Sequence, residues 1–288
     1  MQSVSIVGCG YTGLRLAARW LALGAAVRGF ATRPASVRQI ADSGATAQTL
    51  DLDADPGDQN IPDFDGQLVY YAVPPAPTGT GDPRLERFLA RLMGTPRRIV
   101  YLSTTGVYGD RAGAVVDEET AVAPQSARAV RRVAAELALR DWAGARDVSW
   151  CILRVAGIYG PGRLPLERLR RAEPAIDPAE ASPGNRIHVE DLVTACIAAG
   201  RSARAHRGIF NITDGTDDSI TGYLLRVARL SGLPAPPFVS RAVAARDSSP
   251  AAWSFLGESR RADNRRMREE LGVALAYHDL DEGIRASL

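Results

Sequence analysis

"SVSIVGCGYTG", residues 3–13, decides the architecture of this chain. Its first half is an apolar run of strand length. Its second half is GxGxxG, carried by Gly8, Gly10 and Gly13. A helical pattern over residues 12–23 follows at once. The motif has physical content only in that strand–turn–helix setting. There Gly8 permits the tight turn, Gly10 lets the backbone approach a pyrophosphate, and Gly13 lets the helix pack against the strand. The helix start, at Tyr11 and Thr12, then offers free N–H groups and a positive dipole end to phosphates.

The alternation continues outward from this unit. Strand-like runs are "SVSIVG", "AAVRGF", "TAQTLD", "LVYYAV", "RRIVYLS", "WCILRVAGI" and "GIFNIT". Helical patterns lie between them at 12–23, 34–43, 83–93, 126–143 and 189–200. Strands alternating with helices imply a parallel sheet covered on both faces, and runs such as "IVYL" are continuously apolar, as buried parallel strands are. The expected class is α/β: a doubly wound parallel Rossmann sheet with a small C-terminal substrate region. Residues 1–155 and 185–215 form the dinucleotide-binding domain in this reading. Residues 156–184, without a clear strand, and 216–288, with helical segments near 219–231 and 262–271, form the smaller region.

The end of the second strand selects the cofactor. An acid about twenty residues after the glycines would bond a ribose 2′-hydroxyl and favour NAD. "RGFATRPAS" has no acid there, and Thr32 and Arg33 stand at its end. Arginine suits a 2′-phosphate, so NADP(H) is expected ahead of NAD(H). Asp51, with Leu52 beside it, follows the third strand and suits an adenine amino group, although a turn-capping role fits as well. Ala72, Val73 and Pro74, at the end of the fourth, complete the expected contacts.

Composition narrows the function classes. The 288 residues are 45% hydrophobic and 24% charged, ordinary for a globular chain. No run reaches membrane-spanning length; "LRLAARWLALGAAV" carries two arginines and reads as amphipathic. The net charge of +2 gives no support to a nucleic-acid partner. Cys9, Cys151 and Cys196 are unpaired in spacing, and the 3 histidines lack zinc-site spacing, so no metal is expected. Cytoplasmic residence is the expectation, since no secretory n-region precedes the first strand. All 35 basic residues are arginine, so no mechanism here can use a lysine.

Later segments resemble the extended short-chain dehydrogenase/reductases, the nucleotide-sugar epimerase and dehydratase group. "YLSTTGVYGD" resembles their strand end before VYG, and "VDEETAVAP" their acidic, proline-terminated loop. "LRVAGIYGPGR", "RIHVEDLV" and "GIFNITDG" resemble further motifs, in order, from residue 4 to about 215. The resemblance implies a small-molecule substrate and a homodimer. It also implies a Ser or Thr that binds the substrate oxygen, here Thr104, and a Tyr–Lys pair that moves the proton. "PQSARAVRRVAAE", residues 124–136, holds neither. Aligned on Glu136, the lysine position is Arg132 and the tyrosine position is Arg128. Arg132 can keep a positive charge beside a ribose, but Arg128 cannot give up a proton near neutral pH. Thr105 and Gly106 occupy the places of the dehydratase acids.

Tyr108 and Tyr159 offer substitute phenols, with packing as the plainer role of each. Glu118 and Glu119 read as a solvated loop, and His188 as a helix cap. Arg163, Arg186 and the arginines of 260–266 are candidates for a substrate phosphate or carboxylate. Two functions stay open at this point. One is an NADP(H)-dependent oxidoreductase or epimerase for a nucleotide-sugar-like or small carbonyl substrate. The other is a non-catalytic NADP(H)-binding sensor, regulatory or assembly protein.

Overall fold

The computed structural model describes residues 2–54 and 61–288. In chain order the main elements begin with β1 (Ser3–Val7), α1 (Tyr11–Ala22), β2 (Ala26–Ala31), α2 (Pro34–Asp42) and β3 (Thr46–Thr49). Next come β4 (Leu68–Tyr71), α3 (Pro83–Arg91), β5 (Arg98–Thr104), β6 (Val115–Val116), α4 (Ala127–Gly144), β7 (Ser149–Val155) and β8 (Gly157–Tyr159). Then α5 (Leu166–Arg170), β9 (Ala175–Ile176), β10 (Arg186–His188), α6 (Val189–Arg201), β11 (Gly208–Ile212) and α7 (Ile220–Ser231) follow. The chain ends with β12 (Phe238–Val239), α8 (Arg241–Asp247), α9 (Pro250–Leu256), β13 (Arg261–Ala262), α10 (Arg265–Glu270) and α11 (Leu280–Arg285).

Seven strands form one sheet in the order β11-β7-β5-β4-β1-β2-β3, and every pairing is parallel. The order reverses between β1 and β4, the switch point at which such sheets open a crevice beyond their carboxyl ends. All seven expected strands are present. The sheet is doubly wound because its central strands carry apolar side chains to both faces. Val4 and Ile6 of β1 join Leu16, Ala17 and Trp20 of α1, Ile40 of α2 and Leu192 of α6 on one side. Val7 joins Leu85 and Phe88 of α3 and Ala135 and Leu139 of α4 on the other. Burial of each Ile, Leu or Phe contributes about 1.5–3 kcal/mol.

The smaller region has a core of its own. Tyr159, Leu169, Tyr223, Leu224, Val227 and Ile284 meet there. Two differences from the sequence reading matter for the site. "WCILRVAGI" is two strands: β7 stays in the sheet, while β8 leaves it after Ala156 and pairs with β10. The last 73 residues hold five helices among the described residues, where periodicity shows two. α8 and α9 have 7 residues each, too few for a 3.6-residue period to emerge. β13 takes the start of the expected 262–271 helix, which begins at Arg265 after Asn264. No helix among the described residues is long and apolar enough to cross a membrane.

Candidate active site

Two adjoining grooves lie beyond the carboxyl ends of the strands. The first, of about 660 Å³, runs along the glycine loop. Gly8 turns the chain at φ +86, and a Cβ there would stand 2.7 Å from the Val73 nitrogen. Beside Gly10 nothing lies within 4 Å of an added Cβ, so this side of the loop is open. α1 has no acid in its first turn, and its N-cap, Gly10, has no side chain to satisfy the leading N–H groups. Those groups, the dipole and the bare backbone fit a pyrophosphate.

The first groove gathers every residue expected at the cofactor. Gly8, Gly10, Tyr11, Thr12 and Gly13 line one end, and Thr32 and Arg33 the rim. Asp51, Leu52, Ala72, Val73 and Pro74 complete the wall. Asp51 also accepts a bond from the Asp53 amide at 2.9 Å, the turn-capping role that fits it equally. Ser36, Asp53 and Arg84 join the wall without a prior signal; Arg84 is locked to Asp53 and to the Pro74 carbonyl. Tyr11 lies between two guanidinium groups, Arg15 and Arg163, each 4.1 Å from its ring centre, and donates to the Pro161 carbonyl. This contact draws the segment after β8 over the start of α1.

The second groove, of about 640 Å³, shares Pro74, Ser103, Arg132, Val155, Ile158 and Arg163 with the first. Thr104 and Arg128 line it, on the side of β5 and α4. α4 presents Arg128, Arg132 and Glu136 in steps of four, one face of a helix. Glu136 is buried and fixes that register. It accepts from Ser103 at 2.5 Å and pairs with Arg154 at 2.8 Å. One turn earlier, Arg132 donates to the Tyr101 hydroxyl at 2.8 Å and to the Leu102 carbonyl at 3.0 Å. One turn earlier again, Arg128 stacks on Phe255 at 3.8 Å. Burial and the neighbouring Arg132 lower its pKa from the ordinary arginine value, and its Nε meets no acceptor among the described residues. Arg128, Arg132 and Glu136 thus lie along one face of α4, and the two arginines line the groove with Thr104. Thr104 Oγ1 accepts from the Gly106 amide at 3.1 Å, which leaves its proton for another partner.

Several candidates lie elsewhere. Tyr108 is completely buried beneath the turn and lines neither groove. Its hydroxyl donates to Asn211 at 2.8 Å and accepts from Arg154 at 3.0 Å, so it belongs to the Glu136 network. Tyr159 packs edge-on to His188 and Tyr223, and burial raises its pKa well above the usual phenol value. Glu118 is no solvated loop residue: its carboxylate accepts from the Asn211 amide at 2.6 Å, and burial raises its pKa. Glu119 is exposed. His188 caps α6 by accepting from the Glu190 amide at 3.2 Å.

Arg163 and Arg186 both face the second groove. Arg186 is 8% exposed, stacks 4.1 Å from the Tyr223 ring centre, and has an Nη1 without an acceptor among the described residues. A Cβ on Gly184 would fall 2.3 Å from that Nη1, so the glycine makes room for the guanidinium. A buried, incompletely bonded cation is costly unless something anionic joins it. Six arginines line this groove (Arg128, Arg131, Arg132, Arg163, Arg186 and Arg260) against one carboxylate, Glu258. The segment 254–260 supplies Arg260, one of the expected arginines, together with Phe255 and Glu258, which carry no sequence signal for a site. Among the described residues no three His, Cys, Asp or Glu side chains cluster as a metal site would need.

Comparison with known proteins follows this geometry. Residues 84–213 match the model of the NAD dependent epimerase/dehydratase family. Protein YeeZ of Escherichia coli K12 is 29% identical over 97% of each chain. A functionally unknown conserved protein from Silicibacter pomeroyi is 32% identical, covers 99% of this chain and 98% of its own, and superposes with a TM-score of 0.81. UDP-glucuronic acid 4-epimerase from Bacillus cereus, solved in complex with NAD, is 17% identical, with coverage of 99% and 97% and a TM-score of 0.73.

Proposed function

The chain belongs to the NAD-dependent epimerase/dehydratase family, and from that premise we propose that it binds NADP(H) and acts as an oxidoreductase or epimerase on an anionic, nucleotide-sugar-like or small carbonyl substrate. The observation that carries the proposal is the continuity of the two grooves. They meet at Ser103, Arg132 and Arg163, beside Thr104. A nicotinamide dinucleotide, as held by the Bacillus cereus epimerase of like fold, would supply a hydride acceptor or donor there.

The chain's own residues then have distinct tasks. The glycine loop and α1 hold the pyrophosphate. Arg33 meets a 2′-phosphate at the rim, which favours NADP(H); NAD(H) is the alternative. Arg132 places positive charge where the family lysine would. Thr104 donates to the substrate oxygen. Arg186 and Arg163 hold phosphate or carboxylate groups at the far end. The arginine excess favours a substrate with more than one negative charge.

A second reading keeps the cofactor and drops the chemistry, and one observation favours it. The tyrosine position is an arginine packed under Phe255, which cannot shuttle a proton. The test is a turnover screen with NADPH and NADP⁺ against UDP-sugars and small dicarbonyls. The enzyme reading expects turnover reduced at least about tenfold in Thr104→Ala, one lost hydrogen bond to a reacting oxygen. Saturable cofactor binding with no turnover of any compound would leave the sensor reading. A homodimer through α3 and α4 belongs to the same proposal. Leu137, 50% exposed on α4, is available to such a contact, and a monomer in sedimentation velocity would exclude it.

A further inference from the structure

We propose that Glu258 is the acid/base that takes the place of the missing tyrosine; this rests on the cofactor reading above. It is the one carboxylate lining the substrate groove among the described residues. Its side chain is 8% exposed and sits in the same groove as Thr104 and Arg128. Arg128 is a neighbour of both: its Nη2 lies 3.9 Å from where a Gly106 Cβ would be, beside the Thr104 turn, and it feels the Glu258 charge.

The position of Glu258 is built, not incidental. Arg260 holds Oε2 at 2.6 Å and is itself anchored to the Gly109 carbonyl at 2.8 Å. The backbone on either side is stitched to the turn after β5. Ser259 N donates to Asp110 at 2.9 Å, Arg111 N to the Ser259 carbonyl at 2.8 Å, and Arg261 N to the Ala114 carbonyl at 2.9 Å. Three residues before Glu258, Phe255 covers Arg128. One segment thus packs against the residue at the tyrosine position and brings in a group able to exchange a proton.

Two rival phenols are sealed. Tyr223 lines the groove with its ring, but its hydroxyl is buried, and burial pushes its pKa up to about 12. Tyr101, also buried, is pushed up to about 12 and lines neither groove. In the oxidising direction the carbinol C–H bond breaks and its hydride passes to the nicotinamide. The carbinol O–H proton passes to the Glu258 carboxylate, and a C=O bond forms. The substrate is oxidised and the nicotinamide reduced; the reverse direction returns both.

A binding experiment tests this without a known substrate. An oxidised nicotinamide carries a positive charge, so a carboxylate in the adjoining groove favours NADP⁺ over NADPH. The charged groups facing Glu258 are Arg128 and Arg131 of α4, Arg260 of its own segment, Asp110 after β5, and Arg186 across the groove. At pH 7 the ratio of NADP⁺ to NADPH affinity is expected to fall about tenfold in Glu258→Gln and to recover in part in Glu258→Asp, by charge interaction at short range. For any compound that turns over, Glu258→Gln should lose about 10²–10⁴-fold in rate. An unchanged ratio in Glu258→Gln, in a variant with an unchanged melting transition, overturns the assignment. Failure of both cofactor forms to bind removes the cofactor reading itself.

Discussion

The two grooves are built by different means. The cofactor groove is made of short-range features: a glycine turn, a helix start, and the ends of adjacent strands. Its critical contacts come from backbone, so few side chains can spoil it. The substrate groove is assembled from β5, α4, β10, α7 and the 254–260 segment, which are far apart in sequence. Its character depends on side chains, with six arginines against one carboxylate. One chain can therefore keep the first groove intact while the side chains of the second vary.

The largest expected effect breaks the hinge between the two. Glu136→Ala leaves Arg154 buried without its carboxylate, and should cost about 3–5 kcal/mol in urea unfolding. A loss below about 1 kcal/mol would show that this pair does not fix α4. Next is Gly8→Ala, which forces a side chain into a φ of +86 and against the Val73 nitrogen. It should cost about 1–3 kcal/mol and weaken cofactor binding at least tenfold, with both read from the same preparation. Unchanged affinity would separate the loop from the cofactor.

What could be read in the sequence follows the same division. All seven sheet strands, the five helices between them and twelve residues that line the first groove were legible, because each rests on local periodicity or strand-end position. Arg128 and Arg132 share a face of α4 with Glu136, as their spacing of four implies, and the buried Glu136–Arg154 pair holds that face to the sheet. Tyr108 takes the packing role, the plainer of its two readings; a motif gives position along the chain but not which way the ring turns. Arg260 was legible as one of the 260–266 arginines, but Phe255 and Glu258 were invisible. These two lie in or just beyond a 7-residue helix, and long-range bonds to the turn after β5, with the pairing of β13 and β6, bring them to the site.

A smaller effect falls on Asp214, bonded to the backbone of Arg186. Burial pushes the Asp214 carboxyl up to about 6, above the ordinary carboxylate value. A raised carboxyl favours the fold while protonated, and that contribution is lost as pH rises through about 6. Asp214→Asn should therefore be more stable than the wild type at pH 8 by about 1–2 kcal/mol, with the difference gone below about pH 4. A gain that is the same at both pH values would disprove the burial cause. The smallest effect falls on the cofactor rim. Arg33→Ser should weaken NADPH about three- to tenfold and leave NADH unchanged, as expected for an exposed arginine–phosphate contact. Equal losses for both would assign Arg33 to the adenosine and not to the phosphate.

The most direct test of the account is a calorimetric titration of the wild-type protein with NADPH and then NADH. The intact first groove predicts one site per chain, with NADPH bound about tenfold more tightly. Absence of saturable binding by either dinucleotide would contradict it.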